Sequence, residues 1–218
     1  MNPTESAARC REICLMAPVI PVIVIEDASR ARPLAETLVG AGLPVLEVTL
    51  RTPAALEALA AMAAVPGGVA GAGTLITPRD VAAARDAGAR FGVSPGSTDR
   101  LLDACMDAGL PILAGAATAS ESMRLLEAGH SVQKFFPAEA AGGAAALAAL
   151  AAPLPQVSFC PTGGIRADSA AGYLSLPNVL CVGGAWVVPP KLIAAGDWDG
   201  IAALARAAAA LSRRAKAG

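Results

Sequence analysis

The sequence is short of several residue types on which catalysis and binding often rest. It has one histidine, His130. A histidine-based metal centre, or a mechanism that needs two histidines, is therefore excluded, and no metal is expected. His130 follows Gly129 at an expected helix end, where an imidazole caps the helix or faces water, and it is assigned no role. No Cys-x-x-Cys pair occurs. The five cysteines, Cys10, Cys14, Cys105, Cys160 and Cys181, are odd in number and read as scattered free thiols of a reducing cytoplasm. Cys160 and Cys181 fall in expected core strands, where cysteine acts as a small apolar residue. The formal net charge is only −1, so there is no electrostatic footprint for nucleic acid or an anionic membrane. Blocks of like charge are absent apart from a short basic tail, Arg213, Arg214 and Lys216, which reads as solvated.

Long apolar runs are also missing. Residues 13–25 are uncharged until Glu26-Asp27, but Pro18 and Pro21 interrupt them and no small-residue cleavage pattern follows. Residues 140–165 are mostly alanine and glycine and are broken by Pro153, Pro155 and Pro161. Neither supplies the ~20 strongly apolar residues of a spanning helix. A soluble, cytoplasmic protein with no membrane or nucleic-acid partner is expected. Aromatics are few, but aliphatics and alanine are plentiful, which suits a packed core and argues against disorder.

What is present is a rhythm. After an amphipathic stretch over 3–16, β-rich runs alternate with helical stretches about eight times. The strand candidates are 19–25, 45–50, 69–72, 91–93, 112–114, 132–135, 158–160 and 180–182. Four intervening helices end in Ala-Gly, at Gly42, Gly88, Gly109 and Gly129, a stop signal because glycine takes positive φ without a Cβ penalty. Alternating strands and helices imply parallel pairing with right-handed crossovers. In 218 residues the pattern fits one (β/α)8 TIM barrel domain spanning 1–218, with an extra N-terminal helix. An open doubly wound sheet is the alternative, but the Gly-x-Gly-x-x-Gly dinucleotide fingerprint is missing after the first strand.

Lysine is rare too. Of Lys134, Lys191 and Lys216, only Lys134 sits inside an apolar strand, Ser131-Val132-Gln133-Lys134-Phe135-Phe136-Pro137. Burying an ammonium is costly, because desolvation disfavours the charged form, and that makes the amine a usable nucleophile toward a carbonyl. A stem packed in the strand with its head in water is the alternative. In a barrel of this kind, function sits at the C-terminal strand ends. On the second strand, Glu47, Thr49 and Arg51 share the face toward the barrel mouth, while Leu46, Val48 and Leu50 face the helices. A structural Glu47–Arg51 ion pair is the bland account of that face. Gly71-Ala72-Gly73-Thr74 allows close backbone approach and offers a hydroxyl, and Ser94-Pro95-Gly96 is a turn. Lys134, with Val132 and Phe136 on its own face, shares an apolar-walled interior with Glu47. Gly163-Gly164 and Gly183-Gly184 read as two Gly-Gly turns after strands seven and eight, the barrel's common phosphate site.

In this order, Leu46-Glu47-Val48-Thr49-Leu50-Arg51-Thr52, Gly71-Ala72-Gly73-Thr74, Ser94-Pro95-Gly96, Lys134-Phe135-Phe136-Pro137-Ala138-Glu139, Cys160-Pro161-Thr162-Gly163-Gly164-Ile165 and Gly183-Gly184-Ala185-Trp186 resemble the signature blocks of the 2-keto-3-deoxy-6-phosphogluconate (KDPG) and 4-hydroxy-2-oxoglutarate (KHG) aldolase family. The resemblance covers nearly the whole chain. It implies a class I, Schiff-base aldolase of the Entner–Doudoroff pathway, usually a homotrimer, acting on a keto acid phosphate. It implies no cofactor and no metal, because the iminium does the work of a Lewis acid. It further implies that Lys134 forms the imine and that Glu47 shuttles protons. Arg51 and Thr74 would hold the substrate carboxylate, with Pro95 and Phe136 as pocket wall, and Thr162, Gly163, Gly164, Gly183 and Gly184 would hold phosphate.

Two departures from the family's pattern stand out. The residue after Gly183-Gly184 is often serine and here is Ala185, so one hydroxyl contact worth ~0.5–1.5 kcal/mol is lost and weaker phosphate recognition is expected. The loop after strand five, read as 114–118, is smaller than the family's and bears on pocket shape and the preferred aldehyde. Rival readings are an aldolase for KHG or the galactonate epimer, a phosphosugar isomerase or epimerase, and a non-catalytic phosphoester binder.

Overall fold

The computed structural model describes residues 1–212 of the chain. The basic tail lies outside the described residues. Eight parallel strands alternate with helices around a nearly closed barrel: β1 (Val19–Ile23), β2 (Val45–Thr49), β3 (Val69–Gly73), β4 (Gly92–Val93), β5 (Ile112–Ala116), β6 (Val132–Phe135), β7 (Ser158–Pro161) and β8 (Val182–Gly184). Strands β1 to β7 follow one another in sequence order, and β8 pairs with β1. The bridges Phe159↔Val179 and Thr162↔Gly183 join β7 to the segment of β8 and complete the ring. An open doubly wound sheet reverses its strand order partway, so this sequential order rules it out.

Helix α1 (Pro3–Leu15) precedes β1, as expected, and the crossovers carry α2 (Ala31–Gly40), α3 (Ala55–Ala63), α4 (Pro78–Asp86), α5 (Asp99–Asp107), α6 (Ala119–Glu127), α7 (Gly143–Ala151) and α8 (Ala170–Leu174). Helices α9 (Pro190–Ala195) and α10 (Trp198–Ala209) follow β8. The four Ala-Gly stops are all real. Ala41, Ala87, Ala108 and Ala128 are C-caps, and the glycine after each has φ between +63° and +93°. None of the described helices is long and apolar enough to cross a membrane.

The strands' alternation divides the core in two. Leu46 and Val48 pack outward with Leu34, Leu38 and Leu59 of the helices, as the pattern on β2 requires. Inside, Ile20, Val45, Val69, Phe91, Val93, Leu113, Val132 and Cys160 fill the barrel, joined by Ala7, Cys10 and Cys14 of α1. Helix α1 therefore plugs the N-terminal end of the barrel. Its Ser6 Oγ accepts from the Ile112 N–H at 3.0 Å, and Arg11 Nη2 donates to Ser158 Oγ at 2.8 Å, both at the first residues of strands. Asn2 and Glu5 form a capping box at its start.

Three expectations need correction. The cysteines are free, but they are buried and not scattered. Cys14 and Cys181 both hydrogen-bond to Cys160, which together with the Lys134 charge holds the Cys160 thiol well below its ordinary value. Burial pushes Cys10 and Cys105 up to about 12. His130 neither caps nor faces water. It is 1 % exposed, its Nδ1 has no partner, and burial lowers its pKa. Its neighbour Gln133 faces the helices, and the Gln133 Nε2 donates to the His130 and Ser122 carbonyls at 3.0 Å each. Strand β5 runs on to Ala116, so 114–116 is not a loop. Gly115 pairs with Lys134 in register.

The buried polar groups Ser6, Ser122 and His130 each give a prediction. Ser6→Ala strands the buried Ile112 N–H and is expected to cost about 1–3 kcal/mol in urea unfolding. Ser122→Ala removes a buried hydroxyl that has no partner and is expected to be neutral or stabilising. Because the folded pKa of His130 lies below the ordinary 6.5, only the unfolded chain gains its proton as pH falls past that value. Stability should drop below pH 6.5, by at most about 1.4 kcal/mol per pH unit from this group, and His130→Leu should remove that part of the slope in paired urea titrations.

Candidate active site

Strand β6 places Lys134 in the barrel interior because Val132, Lys134 and Phe136 alternate with Gln133 and Phe135. Gln133 and Phe135 face the helices. The Lys134 side chain is only 4 % exposed, so the lysine is not one with its head in water. Its Nζ lies 3.2 Å from Glu47 Oε1, and the Glu47 side chain is equally buried. The Phe136 ring centroid lies 5.1 Å from the same Nζ, a cation–π contact. Two charges removed from water need each other. Breaking such a pair by removing one partner typically costs about 3–5 kcal/mol. Glu47 thus pairs with Lys134 and not with Arg51, which corrects the bland account of β2. The pairing depends on Gly73, on the neighbouring strand in register with Thr49, because a Cβ there would collide with the Glu47 carboxylate.

Thr49, the third residue on the inner face of β2, is buried and donates to the Ile23 carbonyl at 2.9 Å, so its hydroxyl is spent on structure. Arg51 lies beyond the strand end and is exposed, and its Nε donates to Thr74 Oγ1 at 3.0 Å. Among the described residues Arg51 has no carboxylate partner, and its Nε bond to Thr74 leaves the terminal nitrogens without a hydrogen bond. Thr74 holds this position at a price in backbone strain. Its φ is +64°, the one positive φ outside glycine among the described residues, in a β-branched residue that disfavours it strongly. Pro95 meets the lysine strand through Gly115. The backbone of Pro95 occupies the space that a Cβ on Gly115 would need, and Gly115 is the register partner of Lys134.

On the far side, Thr162 follows β7. It is 6 % exposed, and its Oγ1 has no oxygen or nitrogen partner. Gly163 and Gly164 form a true turn, with φ of +105° and +80°, and a Cβ on Gly163 would lie 3.2 Å from the Phe136 ring. Phe136 therefore contacts both the lysine head and this turn. Successive glycines of this kind can present bare backbone N–H groups to an anion.

The second Gly-Gly is not a turn. Gly183 and Gly184 belong to β8 and pair with Ile20 and Pro21. They are glycine because a Cβ on Gly183 would strike the Thr162 hydroxyl, and one on Gly184 the Trp186 ring. Ala185, next in line, is exposed and offers no hydroxyl. The structure thus brings Lys134, Glu47 and Phe136 into contact, joins Arg51 to Thr74, and sets Thr162 against Gly183. Trp186 packs against Gly184. Tyr173 carries no signal in the sequence, because it is a lone tyrosine in a short helix.

The sequence pattern of the KDPG and KHG aldolase family matches residues 10–204. The 2-dehydro-3-deoxy-phosphogluconate aldolase of Zymomonas mobilis (strain ZM4) is 50 % identical over 204 residues, covering 93 % of this chain and 96 % of that protein. The crystal structure of the Zymomonas mobilis ZM4 KDPG aldolase with 3-phosphoglycerate superposes with a TM-score of 0.90 at 47 % identity, over 95 % of this chain and 98 % of that one. The Legionella pneumophila KDPG aldolase, with pyruvate captured as a covalent carbinolamine, gives 0.89 at 47 % identity, over 92 % and 98 %. With the buried lysine, its carboxylate partner and the family pattern all on one barrel, the chain belongs to the KDPG and KHG aldolase family.

Proposed function

We propose that this protein is a class I aldolase that cleaves 2-dehydro-3-deoxy-6-phospho-D-gluconate to pyruvate and D-glyceraldehyde 3-phosphate, as the cytoplasmic Entner–Doudoroff enzyme. The observation that carries this reading is the buried Lys134 Nζ, 3.2 Å from Glu47 Oε1. An amine attacks a carbonyl only when neutral, and the hydrogen bond between the two groups is a ready path for the departing proton. Glu47 takes that proton, and Nζ adds to C2 of the keto acid. Glu47 then returns the proton to the carbinolamine oxygen and relays a second one from the nitrogen, so that the oxygen leaves as water. The protonated imine draws the C3–C4 bonding electrons as Glu47, again a carboxylate, takes the proton of the C4 hydroxyl. This releases the aldehyde and leaves an enamine. Protonation at C3 and hydrolysis of the imine free pyruvate and regenerate Lys134.

Arg51, held by Thr74, binds the C1 carboxylate; Pro95 and Phe136 wall the carbon chain. Thr162, Gly163 and Gly164 take the phosphate together with Gly183 and Gly184, and Gly183 leaves room for the Thr162 side chain beside it. That the Zymomonas mobilis relative was crystallised with 3-phosphoglycerate supports a phosphorylated ligand, and the carbinolamine in the Legionella pneumophila enzyme supports the covalent chemistry. The working unit in this reading is a homotrimer of single barrel domains over 1–218. Ala185 favours one second reading, an enzyme that also accepts the unphosphorylated KHG, because one hydroxyl is missing beside the phosphate turn.

Borohydride reduction with pyruvate is expected to leave one stable adduct, mapped by mass to Lys134; folded protein without that adduct would refute the Schiff-base reading. Glu47→Gln should lower the urea midpoint, since the pair is broken, and in protein that is still folded it should lower kcat by about 10²–10⁴-fold, as expected for loss of a positioned acid–base group. Thr74→Gly separates stability from function. Relief of the positive φ should leave the urea midpoint unchanged or raised, while loss of the Arg51 contact raises KM for pyruvate-forming substrates.

A further inference from the structure

Beyond Lys134 the chain stays fastened to the turn after β7. The Thr162 N–H donates to the Phe135 carbonyl at 2.9 Å, the Ala138 N–H to the Thr162 carbonyl at 2.8 Å, and the Glu139 N–H to the Gly163 carbonyl at 3.0 Å. The Glu139 side chain lies against Gly164, where an added Cβ would sit 2.7 Å from its Cβ and Cγ. Its Oε1 accepts from the Tyr173 hydroxyl at 2.7 Å. Tyr173 belongs to α8, the first helix after the turn, and is 1 % exposed. Gly143, at the start of α7, packs beside both, with room for a Cβ only 3.4 Å from the phenol oxygen. Burial, and then the bond to Glu139, push the Tyr173 pKa up, so the phenol remains a donor.

This contact has an electrostatic consequence. Glu139 brings a carboxylate to a turn that, on the reading above, receives a phosphate. Two like charges about 4 Å apart repel by ~1 kcal/mol even in bulk water, and by more in a less polar setting. An unrestrained carboxylate would therefore oppose the ligand. We propose that Tyr173 and Glu139 are a positioning pair for the phosphate turn: the phenol holds the carboxylate toward α8, so that only the Glu139 methylenes lie against Gly164, bracing the turn and keeping the negative charge off the anion. The same backbone bonds tie the turn to the lysine strand, so the pair also sets the span between the imine and the phosphate. The inference rests on the phosphate reading of the turn.

Tyr173→Phe tests it, since the ring is kept and only the hydroxyl is lost. KM for 2-dehydro-3-deoxy-6-phosphogluconate is expected to rise about tenfold, the scale of one charge-assisted hydrogen bond, with inhibition by inorganic phosphate weakening in parallel. KM for unphosphorylated 2-dehydro-3-deoxygluconate should barely move. The penalty should shrink as salt rises, because screening reaches an exposed carboxylate. Adding Glu139→Gln to Tyr173→Phe should recover most of the loss. Equal losses on both substrates, or no rescue, would overturn the proposal and mark Tyr173 as packing alone. Glu139→Gln by itself keeps an oxygen for Tyr173, and a raised KM for the phosphorylated substrate would count against the proposal as well. A parent enzyme that binds both substrates equally and ignores phosphate would remove the phosphate reading and this inference with it. A parent that discriminates, beside an unaltered Tyr173→Phe, removes this inference alone.

Discussion

The Lys134–Glu47 ion pair is the constraint around which the barrel's interior is arranged. Two charged groups, each 4 % exposed, are tolerable together and ruinous apart. Everything near them serves to hold the distance. Lys134 comes from β6 and Glu47 from β2, so the pair spans the interior and depends on the ring being closed. The small residues of β3 and β5 make space for it. Gly73 leaves room for the carboxylate, and Gly115 lets the Pro95 backbone pass over the lysine's neighbouring strand. The phenyl ring of Phe136 lies near the ammonium and gives that cation a second partner.

The two ends of the barrel are chemically opposite. At the N-terminal end α1 seals the interior with Ala7, Cys10 and Cys14, and its polar side chains cap strand ends at Ile112 and Ser158. Thiols pack there without reaching solvent. At the C-terminal end several groups that could take an anion are unsatisfied or partnered only by one another. These are the Arg51 guanidinium, the Thr162 hydroxyl and the positive-φ glycines after β7. The plugged floor helps to bury the ion pair, so the pair's electrostatics are stronger than they would be in an open channel.

Much of the architecture is legible in the sequence because it rests on local rules. Period-2 alternation on β2 and β6 assigns Leu46, Val48 and Phe135 to the helices, and Glu47 and Lys134 to the interior. Glycine after alanine marks four helix ends, since only glycine takes the left-handed conformation without penalty. Other features escaped for equally physical reasons. Gly183-Gly184 looks like a second phosphate turn, but glycine is also what a strand needs when a neighbouring side chain crosses its face. Composition does not distinguish a bend from a close approach. His130 looks exposed because its place after a helix end is local information, whereas its burial is decided by segments that meet it only in the folded barrel.

The sequence by itself determined the alternation of strands and helices, the helix ends, and which lysine and which glutamate are forced into an apolar interior. These follow from side-chain period and from the cost of burying charge, both written along the chain. Only the tertiary structure decided who pairs with whom. It joined Glu47 to Lys134 and not to Arg51, gathered Cys14, Cys160 and Cys181 under the lysine strand, and set Tyr173 on Glu139. Such choices depend on the angle and register at which distant segments meet when the barrel closes, and no stretch of sequence carries that geometry alone.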